Sequence, residues 1–204
     1  MSTSQGNSQQ INLKGNLIGD YFTVTDKNDQ NVVVGLAYFH ELANPHHIQY
    51  SYGVNAFYLA KTTVSGTVLQ EQLFTNLAFK YSVTHIPIYA MAKAEVALNN
   101  PFALVVDIGI GPNIMQTTDF RERALDGGIT IPDYIFSDKT KAVFSATTGV
   151  GLKFNNVLRT HPLSCGYRLF YLGRGRLAAV NSQVGNPLKT GNSYANALIC
   201  SVTL

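Results

Sequence analysis

Residues 165–177, CGYRLFYLGRGRL, place Arg174 and Arg176 beside glycines, a grouping that suits a phosphate or a nucleic acid. Glycine pairs recur in GIGPNI (109–114) and GVGLKF (149–154). A phosphate-binding glycine loop needs a following helix, whose N-terminal amides and dipole hold the anion. None of these pairs opens a helix in a strand–helix–strand unit, so small residues packed in a tight space explain them better. The histidines are His40, His46, His47, His85 and His161. His46 and His47 are adjacent in a turn, where their side chains diverge, which makes a poor two-ligand metal site. His161 and Ser164 in HPLS fall at a turn, and His85 points toward an interior. No nucleophile stands beside a base and its orienting partner, so no catalytic, cofactor-binding or metal-binding residue is expected.

The elements that must position these residues are β-strands. The chain has 204 residues, of which 13% are charged and 46% hydrophobic, with a net charge of +3. That is about half the charge of an ordinary soluble domain. No apolar run approaches the roughly 20 residues of a membrane helix. The absence of a basic run argues against a nucleic-acid partner. The N-terminus, MSTSQGNSQQ, is polar and lacks the apolar core of a secretory signal. Residues 1–10 are expected to be disordered, and an exported form would have had its signal removed or truncated.

Period-two alternation dominates. In FALVVDIGIGPNI, Phe102, Leu104, Val106, Ile108 and Ile110 alternate with Ala103, Val105, Asp107, Gly109 and Gly111. AVFSATTGVGLKF and IQYSYGVNAFYLAK repeat this division into a bulky face and a small one. Strands are predicted over 31–41, 47–60, 79–97 (with a bulge at Pro87), 102–115, 141–154, 163–173 and 194–204, with an eighth either over 11–24 or lost together with a signal peptide. Short turns at 43–46, 98–101 and 155–162 alternate with long connections near 62–75, 117–139 and 174–193. In an antiparallel meander this sorts the short turns to one end and the long loops to the other. The bulky faces are β-branched or aromatic, and the opposite faces are Gly, Ala, Ser, Thr and Asn with isolated charges. That division suits a narrow barrel with its apolar face outward.

From about Val32 to Leu204 the chain resembles small Gram-negative outer-membrane β-barrels of the opacity-protein and OmpA-like class. The likeness is one of pattern. It implies a single all-β domain over 1–204, an up-and-down antiparallel transmembrane barrel of about eight strands. The implied location is the bacterial outer membrane, among lipid and lipopolysaccharide. In that class the last strand is read by the barrel-assembly machinery, here through Tyr194, Leu198, Cys200, Val202 and Leu204. The family usually ends in an aromatic residue, and Leu204 departs from that. The implied role is a non-enzymatic surface protein, adhesin-like or antigen-like, with a possible host or surface ligand on its long loops. A narrow porin-like channel and a soluble lipocalin-like carrier are the alternatives.

Within this arrangement Glu41, Lys80, Lys93, Glu95, Asp107, Lys153 and Arg168 are assigned to the lumen. The barrel is narrow enough for side chains to fill, so they are expected to pair and plug it rather than line a path. Arg174, Arg176 and Lys189 fall beyond the aromatic rim, where they meet lipopolysaccharide phosphates or water. Cys165 and Cys200 fall near each other on the outward face, close enough for a cross-link, and are read instead as small apolar groups.

Overall fold

The computed structural model describes residues 1–15, 19–43, 48–99, 101–158 and 161–203. The alternating β-branched and aromatic residues fit a pleated, half-buried surface, and no helix occurs among the described residues. The strands are β1 (Ser2–Ser4), β2 (Gln9–Gln10), β3 (Tyr21–Asp26), β4 (Asn28–Gln30), β5 (Val33–Glu41), β6 (Ile48–Gln70) and β7 (Phe74–Asn99). They continue with β8 (Phe102–Ala124), β9 (Phe136–Ser137), β10 (Lys139–Leu158), β11 (His161–Arg176), β12 (Ala178–Ala179) and β13 (Lys189–Val202). One antiparallel sheet runs in the order β2-β3-β6-β7-β8-β10-β11-β13-β1-β4, with β5 also on β6, and β9 pairs β12 separately.

The seven long strands lie where the alternation predicts them, but several run further. Residues 62–75, expected as a long loop, are mostly strand. There β6 and β7 continue to a tight turn at Glu71 and Gln72, both with positive φ. The expected bulge at Pro87 is absent: β7 pairs β8 through Ile86↔Ile114, Pro87↔Asn113 and Ala90↔Ile110 in one register. Residues 11–24 do not form a full-length strand. Among its described residues a strand begins only at Tyr21, in β3 (Tyr21–Asp26), which pairs the far end of β6. The place beside β13 is taken by β1, from a segment expected to be disordered. Ser2 faces Asn196 on one side and Gln30 on the other. The pairing does not close into a continuous barrel, because β5 and β13 are not paired with each other.

Cys165 and Cys200 are directly opposite in the β11–β13 register and form a disulfide, so the reading as separate small apolar groups is corrected. Sequence alternation could place both on one face, but only the register brings them together.

Two regions with opposite polarity follow each other along the strands. In the first, near the short turns, the outer face carries large apolar groups: Leu36 is 86% exposed, Leu198 76%, Phe144 63%, and Ile108 and Ile110 60% each. Tyr50, Tyr52, Val54 and Tyr58 continue this belt on β6. In the second, beyond the belt, the apolar groups turn inward. Ile11, Phe22, Val64, Val68, Leu77, Phe79, Phe136 and Leu188 form a buried core there.

Register shifts separate the two regions. A bulge places two residues opposite one and so exchanges the faces beyond it. On β6 the buried positions are Phe57 and Leu59 before the shift, then Thr62, Val64 and Val68 after it. On β8 they are Asp107, Asn113 and Met115, then Phe120 and Glu122, with Asp119 at positive φ between them. On β11 they are Phe170 and Leu172, then Leu177, with Gly173 at φ 83° where the register slips from β13.

The second core encloses carboxyls. Glu122 accepts hydrogen bonds from the Asp133 and Tyr134 amides, 3.1 and 3.0 Å away. Burial pushes its pKa above the ordinary 4.5, and the nearby Asp133 and Asp20 push the same way. Asp20 is raised too, chiefly by burial. A carboxyl with a raised folded pKa holds its proton more tightly when folded, so stability falls as pH rises through the window above the ordinary value. Glu122→Gln should therefore flatten the loss of stability between pH 4.5 and neutrality, read as urea midpoints of both proteins. Parallel pH curves would contradict it.

Candidate functional site

The inner face of the belt region is a stack of side chains placed by the parity of seven strands, β5 to β8, β10, β11 and β13. Its first layer is ionic. The Glu95 carboxylate, from β7, accepts from Lys93 Nζ through Oε1 and from Lys153 Nζ through Oε2, each at 2.7 Å. Lys153 reaches it from β10, two strands away. Lys93 also stands over the Phe39 ring, 4.6 Å from its centroid.

The second layer crosses β10 at a glycine. Asp107 on β8 is opposite Gly149 on β10, and Gly149 is opposite Arg168 on β11. Because Gly149 has no side chain, Arg168 Nη2 reaches Asp107 Oδ2 at 2.6 Å. A Cβ at Gly149 would lie 3.0 Å from Asp107 Oδ1 and 3.1 Å from Arg168 Nη2. The guanidinium also faces the Phe57 ring, 5.4 Å from its centroid, and Phe57 meets Phe170 edge-on at 5.2 Å.

Above these, the Tyr89 hydroxyl is 2.6 Å from Ser145 Oγ, and Ser145 donates to the Tyr171 carbonyl at 2.7 Å. Next comes His85. Asn113 Nδ2 donates to its Nδ1 at 2.9 Å, which leaves Nε2–H to donate to Gln5 Oε1 at 3.1 Å. Ser193 adds a hydrogen bond to the same Gln5 oxygen. The stack then passes through Met115 into the second core.

Of the seven charges assigned to the interior, the structure brings together Lys93, Glu95, Lys153, Asp107 and Arg168. Lys80 is corrected: on β7 the inward positions share the odd parity of Lys93 and Glu95, so Lys80 projects outward and is exposed. Glu41 has inward parity but is exposed at the end of β5, opposite Ser51. Tyr194, Leu198, Cys200 and Val202 all lie on the outer face of β13. Leu204, His46 and His47 lie outside the described residues.

Arg174, Arg176 and Lys189 are exposed just beyond the belt, above Tyr171 and Tyr194, whose rings are 5.6 Å apart. Arg174 Nε donates to Asn192 Oδ1 at 2.6 Å, while Arg176 and Lys189 are paired neighbours of like charge. Lys80 and Arg121 are likewise neighbours on the outer face.

Sequence reasoning missed Gln5, Tyr89 and Asn113. Each is a neutral side chain whose importance comes only from a partner distant in sequence. Gly149 carried a signal, a glycine at an inward position, but not which charges would meet across it.

No protein-family model matches the chain, and no curated protein matches it.

An ion pair this enclosed is costly to break from one side, because the remaining charge stays buried. Arg168→Met should destabilise by about 3–5 kcal/mol, whereas Asp107→Leu with Arg168→Met should recover most of the loss. Unfolding midpoints of the two single variants and the double variant test this, and additive losses would contradict it.

Proposed function

We propose that this chain is a transmembrane antiparallel β-barrel of a bacterial outer membrane, with a plugged interior and a surface-interaction role rather than an enzymatic one. The observation that carries the reading is the exposed apolar belt. Monomeric soluble proteins rarely expose more than a few hundred Å² of contiguous apolar surface. Here bulky groups occupy alternate outward positions on β5, β6, β8, β10, β11 and β13. In water such a belt loses the hydrophobic contribution of every side chain in it, whereas lipid covers it while the ionic residues stay inside.

Three further features support the reading. The aromatic residues Phe144, Tyr171 and Tyr194 cluster at the belt's upper limit, as an interfacial girdle requires. Exposed cations begin just beyond them, at the level where anionic headgroups would lie. The Cys165–Cys200 disulfide fits an oxidising compartment.

A plugged interior is favoured over a channel because paired charges, aromatic rings and the His85 network follow one another along its length. Water-filled conduction would have to break these contacts. The second core beyond the belt would stand outside the membrane as a rigid platform for its loops, where binding residues commonly sit. The outward apolar positions of β13 are the ones available to an assembly factor that reads the last strand.

The chain should require detergent to remain monodisperse and should migrate differently on gels before and after heating. Monodispersity in plain buffer would support the lipocalin-like alternative and contradict the membrane reading. Planar-bilayer recordings should show no discrete openings, and regular unitary steps would favour the porin-like channel.

The rim cations give a separate test. Arg174→Glu, Arg176→Glu and Lys189→Glu together should weaken binding to lipopolysaccharide micelles at low salt, with wild-type binding itself falling as salt rises. Equal binding by both proteins would remove these residues from the interface.

A further inference from the structure

The end of the sheet farthest from the short turns exposes large apolar side chains on two neighbouring connections. Leu73 and Phe74 stand at the β6–β7 turn, and Leu125, Ile129, Ile131 and Tyr134 on the connection that follows β8. Ile129 and Ile131 are 84% and 80% exposed, more than any residue of the belt except Leu36. The two connections join where the Leu125 amide donates to the Asn76 carbonyl at 2.7 Å.

The connection after β8 is held at both ends. Asp126 Oδ1 accepts from the Ile129 and Thr130 amides, each at 3.1 Å, across a turn that Gly127 and Gly128 make at positive φ. Further on, the bonds from the Asp133 and Tyr134 amides to Glu122 tie the chain to β8. Residues 129–132 therefore present Ile129 and Ile131 between two fixed points. A surface arranged before binding loses less freedom on association.

Carboxyls border these apolar groups. The Glu71 amide donates to Asp20 Oδ1 at 3.2 Å, at the same turn that carries Leu73 and Phe74. Burial raises the pKa of Asp20 and of Glu122, and Asp133 raises both further, so these carboxyls lie within electrostatic reach of one another. Among the described residues no ion pair joins Asp20, Glu71, Glu122 or Asp133 to a cation. Arg121 and Arg123 alternate with Glu122 along β8 and leave it on the opposite, exposed face.

We propose that this end is a docking surface for a cationic, apolar segment of a protein partner. Its Lys or Arg side chains would meet Asp20, Glu71 and Asp133, while its apolar side chains cover Phe74, Ile129, Ile131 and Tyr134. Contiguous exposed apolar groups mark interaction sites, and aromatic anchors carry much of the affinity there. The carboxylates select the occupant. A second copy would set them against carboxylates of its own, and an anionic lipid surface would be repelled in the same way. A cationic segment gains from both the charged and the apolar parts. This gives a partner to the proposed surface-interaction role and rests on that reading, but not on the membrane around the belt.

The probe is a short synthetic peptide of alternating Lys and Leu. Two control peptides carry Glu in place of Lys, or Ser in place of Leu. Binding is read as fluorescence anisotropy of the labelled peptides with the disulfide-intact protein, in whichever buffer or detergent keeps it monodisperse. The protein should bind the Lys–Leu peptide and neither control, with affinity falling as salt rises. Ile129→Ser with Ile131→Ser, and separately Glu71→Gln with Asp133→Asn, should each weaken binding about tenfold. Both pairs leave the anchoring bonds in place, since Glu71 and Asp133 donate them through backbone amides. Unchanged affinity in either pair, equal binding of a control, or displacement by calcium at constant ionic strength would overturn the proposal. Any of these results in a protein that still needs detergent would leave the membrane reading intact. Solubility in plain buffer would defeat that reading and leave this one standing.

Discussion

A strand that presents Ile108 outward and Phe120 inward has to change parity between them, because successive side chains otherwise keep to fixed faces. On β8 that change occurs at Asp119. It has counterparts on β6 between Leu59 and Thr62, and on β11 at Gly173. With these shifts in place, one continuous sheet holds a belt with its apolar face outward and a conventional apolar core beyond it. Without any one of them, a strand would drive polar groups into the second core or carry the belt's apolar groups on past its rim. The disposition of the aromatic rim, the exposed cations and the enclosed carboxyls all depends on where these shifts fall.

Inside the belt the same parity concentrates charge. Asp107 and Arg168 come from strands that are not neighbours and meet only because Gly149 leaves the intervening position empty. Glu95 bridges two lysines, Lys93 from its own strand and Lys153 from β10. The interior therefore reads as a set of ionic and hydrogen-bonded layers joined mostly by partners distant in sequence, with Asp107 Oδ1, Asn113 Oδ1 and Gln5 Nε2 left without a hydrogen-bond partner. In the proposed setting this arrangement favours rigidity over transport, and leaves the outer face and the loops as the interacting surfaces.

The belt was legible in the sequence because its strands keep a strict period of two. Ile108, Tyr167 and Leu169 could be placed outward, and Asp107 and Arg168 inward, from spacing alone. The second core was not legible, because parity reverses at bulges that only cross-strand pairing defines. Residues 62–70 therefore looked like loop although they continue β6. A strand over 11–24 was expected only to complete the set of eight, and Ile11 and Phe22 in that stretch are instead buried in the second core. Residues Ser2–Ser4 carry no apolar signal at all, since β1 is held by backbone pairing on both sides. Lys80 was misplaced for a different reason: its charge suggested the interior, while its even position on β7 puts it outside. The pairing of Cys165 with Cys200 likewise needed the register.

Nitroxide labels at Ile108→Cys and Arg123→Cys, each in a background with Cys165 and Cys200 replaced by Ala, compare the two regions on one strand in protein reconstituted into lipid vesicles. The account predicts that the label at 108 collides with oxygen and is shielded from a water-soluble nickel complex, while the label at 123 shows the reverse. Equal access of the nickel complex to both positions would contradict the inversion of surroundings along β8 on which the reading rests.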